Sequence, residues 1–166
     1  MIILGIDPGT RLTGIGIIEV KDRTRVLAAD VIRLNEKLNL EHRLAELHRQ
    51  LAEVFQKFQP HITVVEKIFY GKNIDSAFKL GHARGVCLMA AAANQSQVAE
   101  YAAKFVKKAI TGSGAATKEH VGLIVMRLLR YTPPSSELDI TDALALALCH
   151  AHSIEVKLQT ARAMTT

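Results

Sequence analysis

Ile2-Ile3-Leu4-Gly5-Ile6-Asp7-Pro8-Gly9-Thr10, with Thr13-Gly14-Ile15-Gly16-Ile17-Ile18 close behind, is the stretch whose reading decides the fold. The uncharged run from Ile2 to Ile6, rich in β-branched residues, reads as a strand buried on both faces. That run ends on Asp7. An ionised carboxylate beside a buried strand costs free energy unless a metal ion or another group pairs with it. Pro8-Gly9 forces a turn, and Thr13 to Val20 returns as a second strand. Gly14 and Gly16 fall on one face of that strand, which leaves space for a large ligand to come close. Two readings of Asp7 stay open here: a turn aspartate that stabilises the Pro-Gly bend, or a group of a functional site.

A chain of 166 residues is most simply one domain with a substantial core. Its 49% hydrophobic and 22% charged residues describe an ordinary globular protein and exclude a disordered one. No apolar segment is long enough to span a bilayer, so no membrane partner is expected. The formal charge of +5 admits nucleic acid or an anionic membrane surface as a partner without requiring either. Cys87 and Cys149 lie in apolar helical patterns, as small core residues of a reducing compartment do. No signal-peptide pattern opens the chain, and a cytoplasmic location is the expectation.

Working outward, Lys21 to Arg25 is a polar turn, and Val26 to Leu34 completes an antiparallel meander. From Leu40 the period changes: Leu44, Leu47, Leu51, Val54, Phe55 and Phe58 continue one helical stripe. Asn39 can cap this helix and Gln59-Pro60 stops it. His61 to Glu66 is a fourth strand that again ends on a carboxylate, followed by a loop from Lys67 to Asn73. A helix from Asp75 or Ser76 to about Asn94 carries Ala77, Gly81 and Gly85 on one face. Glycine inside a helix costs about 1 kcal/mol against alanine. Either another helix comes close to that face, or the helix packs tightly on its own sheet. Gln97 to Tyr101 is a fifth strand, and Ala102 to Ile110 adds Lys104, Lys107 and Lys108. Thr117 caps a further helix, and the last helix starts near Ser136. Beyond Ile154 no pattern is visible, which predicts a domain over 1–154 and a basic, mobile tail over 155–166. Strands first as a meander and then alternating with helices make an α/β fold, a mixed sheet with helices on its faces.

Asp7 and Glu66 end strands that would be neighbours in such a sheet. Asp139 and Asp142 stand one helical turn apart and face the same way. Taken singly, either aspartate reads as a cap: Ser136-Glu137-Leu138-Asp139 fits a capping box, and acids suit a first turn. Together, four carboxylates at element ends in a basic chain are harder to explain without a cation. Hard oxygen ligands suit Mg²⁺ or Mn²⁺, and no His or Cys cluster has zinc spacing.

Ile6-Asp7-Pro8-Gly9-Thr10 with Thr13-Gly14, Val65-Glu66-Lys67-Ile68-Phe69, Lys72-Asn73, Asp75-Ser76-Ala77, Lys79-Leu80-Gly81, Ala83-Arg84-Gly85 and Asp139-Ile140-Thr141-Asp142-Ala143-Leu144-Ala145 occur in order from Met1 to about His152. In combination they closely resemble the RuvC family, bacterial Holliday-junction resolvases of the ribonuclease H-like superfamily. The resemblance implies a ribonuclease H-like mixed five-stranded sheet, an antiparallel meander followed by parallel strands, flanked by helices. It implies a Mg²⁺-dependent endonuclease that resolves four-way DNA junctions in recombination and repair. The cuts would be paired symmetric nicks leaving 5′-phosphate and 3′-hydroxyl ends. Asp7, Glu66, Asp139 and Asp142 match the catalytic, metal-binding carboxylates, two Mg²⁺ per site with Mn²⁺ as substitute. Phe69 matches the aromatic that stacks on a base near the crossover, and Lys107 and Lys118 match lysines needed for cleavage and phosphate contact. The helix from Asp75 to Asn94 matches the family's dimerisation helix, and the RuvA–RuvB branch-migration complex is the implied partner. Lys67 and His82 stand where the family usually has Gln, departures that touch junction contacts and leave the carboxylates intact. A less specific nuclease of the same superfamily is the nearest alternative, and an actin-like phosphate-binding fold and a non-catalytic junction binder are rivals of other classes. The actin-like fold needs a second similar domain, and the junction binder does not need the carboxylates.

Overall fold

A computed structural model describes residues 1–67, 74–133 and 138–163. Three antiparallel strands open the chain: β1 (Ile2–Asp7), β2 (Leu12–Val20) and β3 (Thr24–Arg33). Two later strands, β4 (Ile62–Lys67) and β5 (Gln97–Ala102), add parallel to β1 and to each other, giving the order β3-β2-β1-β4-β5. The expected mixed five-stranded sheet is present. Helices α1 (Leu40–Phe58) and α2 (Ile74–Ala93) cover one face. Helices α3 (Ala103–Thr111), α4 (Lys118–Leu129) and α5 (Leu138–Ala163) cover the other.

Alternation along β1 assigns its side chains to these two layers. Leu4 and Ile6 enter the α1–α2 core, while Ile3 enters the α5 core, and Gly5 meets α5 directly. By the same period Asp7 points to the α5 side. In β4, Ile62 and Val64 face α5 and Val65 faces away, so Glu66 also points to the α5 side. Cα pairing of Ile6 with Val65 sets the two acids side by side on adjacent strands.

From Ala143 to Cys149 the central helix of this layer, α5, has no polar side. Ala143, Leu144, Ala145, Leu146, Ala147 and Leu148 are all buried, as in a helix enclosed by a core. Each fully buried leucine contributes about 1.5–3 kcal/mol. Alanines let α5 lie flat on the sheet, and three strand glycines let it come closer still. A Cβ on Gly5 would collide with the Ala143 carbonyl, one on Gly14 with the Asp139 carbonyl, and one on Gly16 would lie 2.8 Å from the Leu144 nitrogen. The space expected for a ligand at Gly14 and Gly16 is filled by this helix.

Other local expectations meet the structure unevenly. Thr117 caps α4 and accepts from the His120 N–H at 3.2 Å. Asn39 stands at the α1 N-cap, but its side chain makes no capping bond. Gln59 ends α1 in the left-handed region with φ 46°. Ser136, and with it the capping box, lies outside the described residues. The lysine-bearing stretch after β5 forms α3, nucleated on the i, i+4 pair Val106 and Ile110. Past Ile154, where the apolar pattern fades, α5 continues to Ala163. Glu155, Lys157, Leu158, Gln159 and Ala161 favour helix by propensity. Cys87 and Cys149 are buried in the two opposite cores as free thiols, and burial pushes them up to about 12 and about 11. No helix among the described residues is long and apolar enough to cross a membrane.

Candidate active site at the strand ends

The turn after β1 does not need Asp7. Thr13 holds it: its Oγ1 accepts from the Gly9 N–H at 3.1 Å and donates to the Gly9 carbonyl at 2.9 Å. Asp7 is left half-buried and turned towards other acids. Its carboxyl lies beside that of Glu66. Burial first, and then the charges of Glu66 and Asp142, hold the Asp7 pKa well above the ordinary carboxylate value of 3.8. The strand-end acid is therefore expensive to ionise in the protein alone.

Asp139 and Asp142 arrive through α5. Gly14 is the register partner of Asp7 and also the residue against which the Asp139 backbone rests. Its missing side chain brings the first turn of α5 down beside β1. Lys118 closes the group from α4, with its Nζ 2.5 Å from Asp142 Oδ2. Burial works against this ammonium, but the Asp142 hydrogen bond and the charges of Asp142, Asp7 and Asp139 outweigh it and raise its pKa. A lysine in a helix's first turn opposes the helix dipole, so Lys118 sits there at a cost that its carboxylate partners offset. Lys107 lines the same small cleft, with Glu66, Asp142 and Lys118, and donates to the Ala116 carbonyl at 2.7 Å.

The structure thus gathers Asp7, Glu66 and Asp142 around Lys118. Asp139 joins through its charge on Lys118 and is not among the groups that shift Asp7. Among the described residues no three acids, imidazoles or thiols stand close enough to hold one metal ion as they are. The donor chemistry nevertheless fits a hard divalent cation: mutually repelling carboxylate oxygens, one forced towards protonation, with the Lys118 ammonium as counter-charge to Asp142. Phe69 lies outside the described residues.

Two arginines of the opposite layer reach this end of the sheet, and the sequence offered no role for either. Arg43 Nη1 donates to the Thr10 carbonyl at 2.9 Å. Arg84 Nε donates to the Glu66 carbonyl at 3.3 Å, and its Nη2 pairs with Glu100.

A five-stranded sheet in the order 3-2-1-4-5 with acids at the ends of β1 and β4 and on α5 defines a ribonuclease H-like protein. The profile of the family "Crossover junction endodeoxyribonuclease RuvC" matches residues 3–150, and the chain belongs to that family. A RuvC of Idiomarina loihiensis is 45% identical over 157 residues, covering 92% of this chain and 88% of the relative. The solved RuvC of Thermus thermophilus superposes with a TM-score of 0.85 at 32% identity, over 95% of this chain and 97% of that one. A second structure of that protein, in complex with Holliday junction substrate, gives 0.84 at 30% identity over 94% and 96%.

Proposed function

We propose that this chain cuts four-way DNA junctions by hydrolysis of phosphodiester bonds, with Asp7, Glu66, Asp139 and Asp142 as its catalytic, cation-binding carboxylates. The observation that carries the assignment is Asp7, an acid that the turn does not use and that its neighbours make costly to ionise. Asp7 and Glu66 from the strand ends, with Asp139 and Asp142 from α5, would hold the cations. Mg²⁺ ions bound there, or Mn²⁺ in their place, supply an acidified water and charge neutralisation at the phosphoryl and departing 3′-oxygens. The protein's part is to hold the carboxylates in register across β1, β4 and α5, and to keep the scissile phosphate against them. Lys118, which neutralises Asp142 here, would contact a DNA phosphate when cations are bound. Lys107 and Phe69 contact phosphate and an unstacked base beside it. The products are 5′-phosphate and 3′-hydroxyl ends that a ligase can seal.

A four-way junction has near two-fold symmetry, and a homodimer presents one site to each of two like strands. The face of α2 supports that reading. Ile74, Phe78 and Met89 are 68%, 65% and 52% exposed and flank a groove of about 1030 Å³, and among the described residues nothing lies within 4 Å of a Cβ built on Gly81 or Gly85. A second copy laid along this face buries it and accounts for the glycines. A cytoplasmic location and work alongside the RuvA–RuvB motor follow from the family reading.

The test offers a labelled synthetic four-way junction and a matched linear duplex with Mg²⁺. Paired symmetric nicks on the junction alone are expected from the wild type. Asp7→Asn should bind the junction and leave it intact. Normal cutting by that variant would overturn the site assignment.

A further inference from the structure

Glu66 stands one residue beyond the last β1–β4 register pair, Ile6 with Val65. On the β1 side its backbone has left the ladder, and on the other side it is paired with Tyr101 of β5. Its carboxylate must nonetheless hold a fixed position beside Asp7. Arg84 supplies a tether from below. From α2 its guanidinium spans both strands, with Nε on the Glu66 carbonyl and Nη2 on the Glu100 carboxylate. Glu100 is the register partner of Val65, so the fork is anchored level with the strand end. The two side chains are only 22% and 31% exposed, and desolvating such a pair yields little net stability. An arginine in this position is better explained by the geometry it enforces. Its planar fork can donate in two fixed directions at once, which a lysine cannot do.

We propose that Arg84 is a positioning residue: by clamping the Glu66 backbone to Glu100, it fixes the Glu66 carboxylate for cation binding and cleavage. The inference rests on the reading of Glu66 as a site carboxylate. It also makes the site answerable to α2, because Arg84 lines the groove on that helix.

The experiment compares Arg84→Lys, Glu100→Leu and Glu66→Gln in the full-length protein. Arg84→Lys keeps the charge and loses the fork; Glu100→Leu keeps the arginine and frees its outer end. Both should lower kcat on the junction by about 10- to 100-fold, the scale of a small misplacement of a reacting group or of losing a metal ligand's outer support. Calorimetric titration of the DNA-free protein with Mn²⁺ should show affinity falling severalfold. Junction binding in EDTA and the sedimentation coefficient should stay as in the wild type, which separates positioning from general damage to the fold. Wild-type kcat and Mn²⁺ affinity in Arg84→Lys would overturn the proposal. So would parallel loss of junction binding, thermal stability and activity, because that outcome marks a purely structural arginine. Full cutting by Glu66→Gln would remove the site reading itself, whatever Arg84→Lys does.

Discussion

The two faces of this molecule use glycine for opposite ends. On the α5 side, Gly5, Gly14 and Gly16 are filled to the limit by the backbone of a buried helix. On the α2 side, Gly81 and Gly85 face no other atom within 4 Å among the described residues. The inner set brings carboxylates on α5 to a strand end. The outer set leaves a helix face that the described residues do not cover. A small residue therefore marks a close approach, and only the structure shows whether the approaching element is already present.

The sharpest way to break this contrast is a single methyl group on the inner set. Gly14→Ala sets a Cβ against the Asp139 carbonyl, and main chain cannot turn aside as a flexible side chain can. We expect a loss of about 2–3 kcal/mol and a Tm lower by roughly 4–12 °C. Cutting should fall further than stability does, because the turn that moves carries Asp139 and Asp142. Thermal unfolding unchanged from the wild type would show that α5 can retreat freely.

The outer set is tested by charge. Phe78→Glu puts a carboxylate on an exposed apolar face without touching the core. Sedimentation equilibrium should show dimer dissociation strengthened by about 30-fold, the scale of losing one central aromatic contact at about 2 kcal/mol. Helical circular dichroism should not change. A wild-type dissociation constant would take the α2 face out of the proposed dimer.

Next in size is the electrostatic cost of the inner cluster. In the cation-free protein the Asp7 pKa is raised by burial and by Glu66 and Asp142, so the native state holds a proton that the unfolded chain releases near the ordinary value of 3.8. Native protein then binds more protons than unfolded protein as pH climbs above that value, and stability falls until the raised pKa is passed. Asp7→Asn removes this slope. Urea unfolding in EDTA should show the variant about 1–2 kcal/mol more stable than the wild type at pH 8 and equal to it near pH 3. Equal stability at both pH values would mean that Asp7 ionises without penalty.

Much of this was legible in the chain itself. The strands announced themselves by β-branched runs and Pro-Gly punctuation, and Asp7 and Glu66 by ending them. Four features were not. The short α3 is written in one i, i+4 pair, Val106 and Ile110, beneath a run of lysines. The far end of α5 has helix-forming residues but no clear apolar pattern in the sequence. The filling of the Gly14 face depends on a helix more than a hundred residues later. Arg84 and Glu100 meet from separate elements with no periodic relation, and long-range ion pairs of this kind leave no local pattern to read.

The smallest effect has the opposite sign from the largest, although the chemical change is the same. Gly81→Ala also adds one methyl group, but among the described residues nothing stands within 4 Å of it, and its backbone is helical. Alanine restricts the unfolded chain and favours helix, so within one copy the substitution should add about 0.5–1 kcal/mol. If a second α2 packs across Gly81, the same methyl group also holds the two helices apart. Unfolding at dilute protein, where single copies dominate, should therefore show the gain, and unfolding at high protein should show less of it or none. A gain that does not vary with concentration would leave Gly81 outside the contact and move the interface towards the Phe78 and Met89 end of the groove.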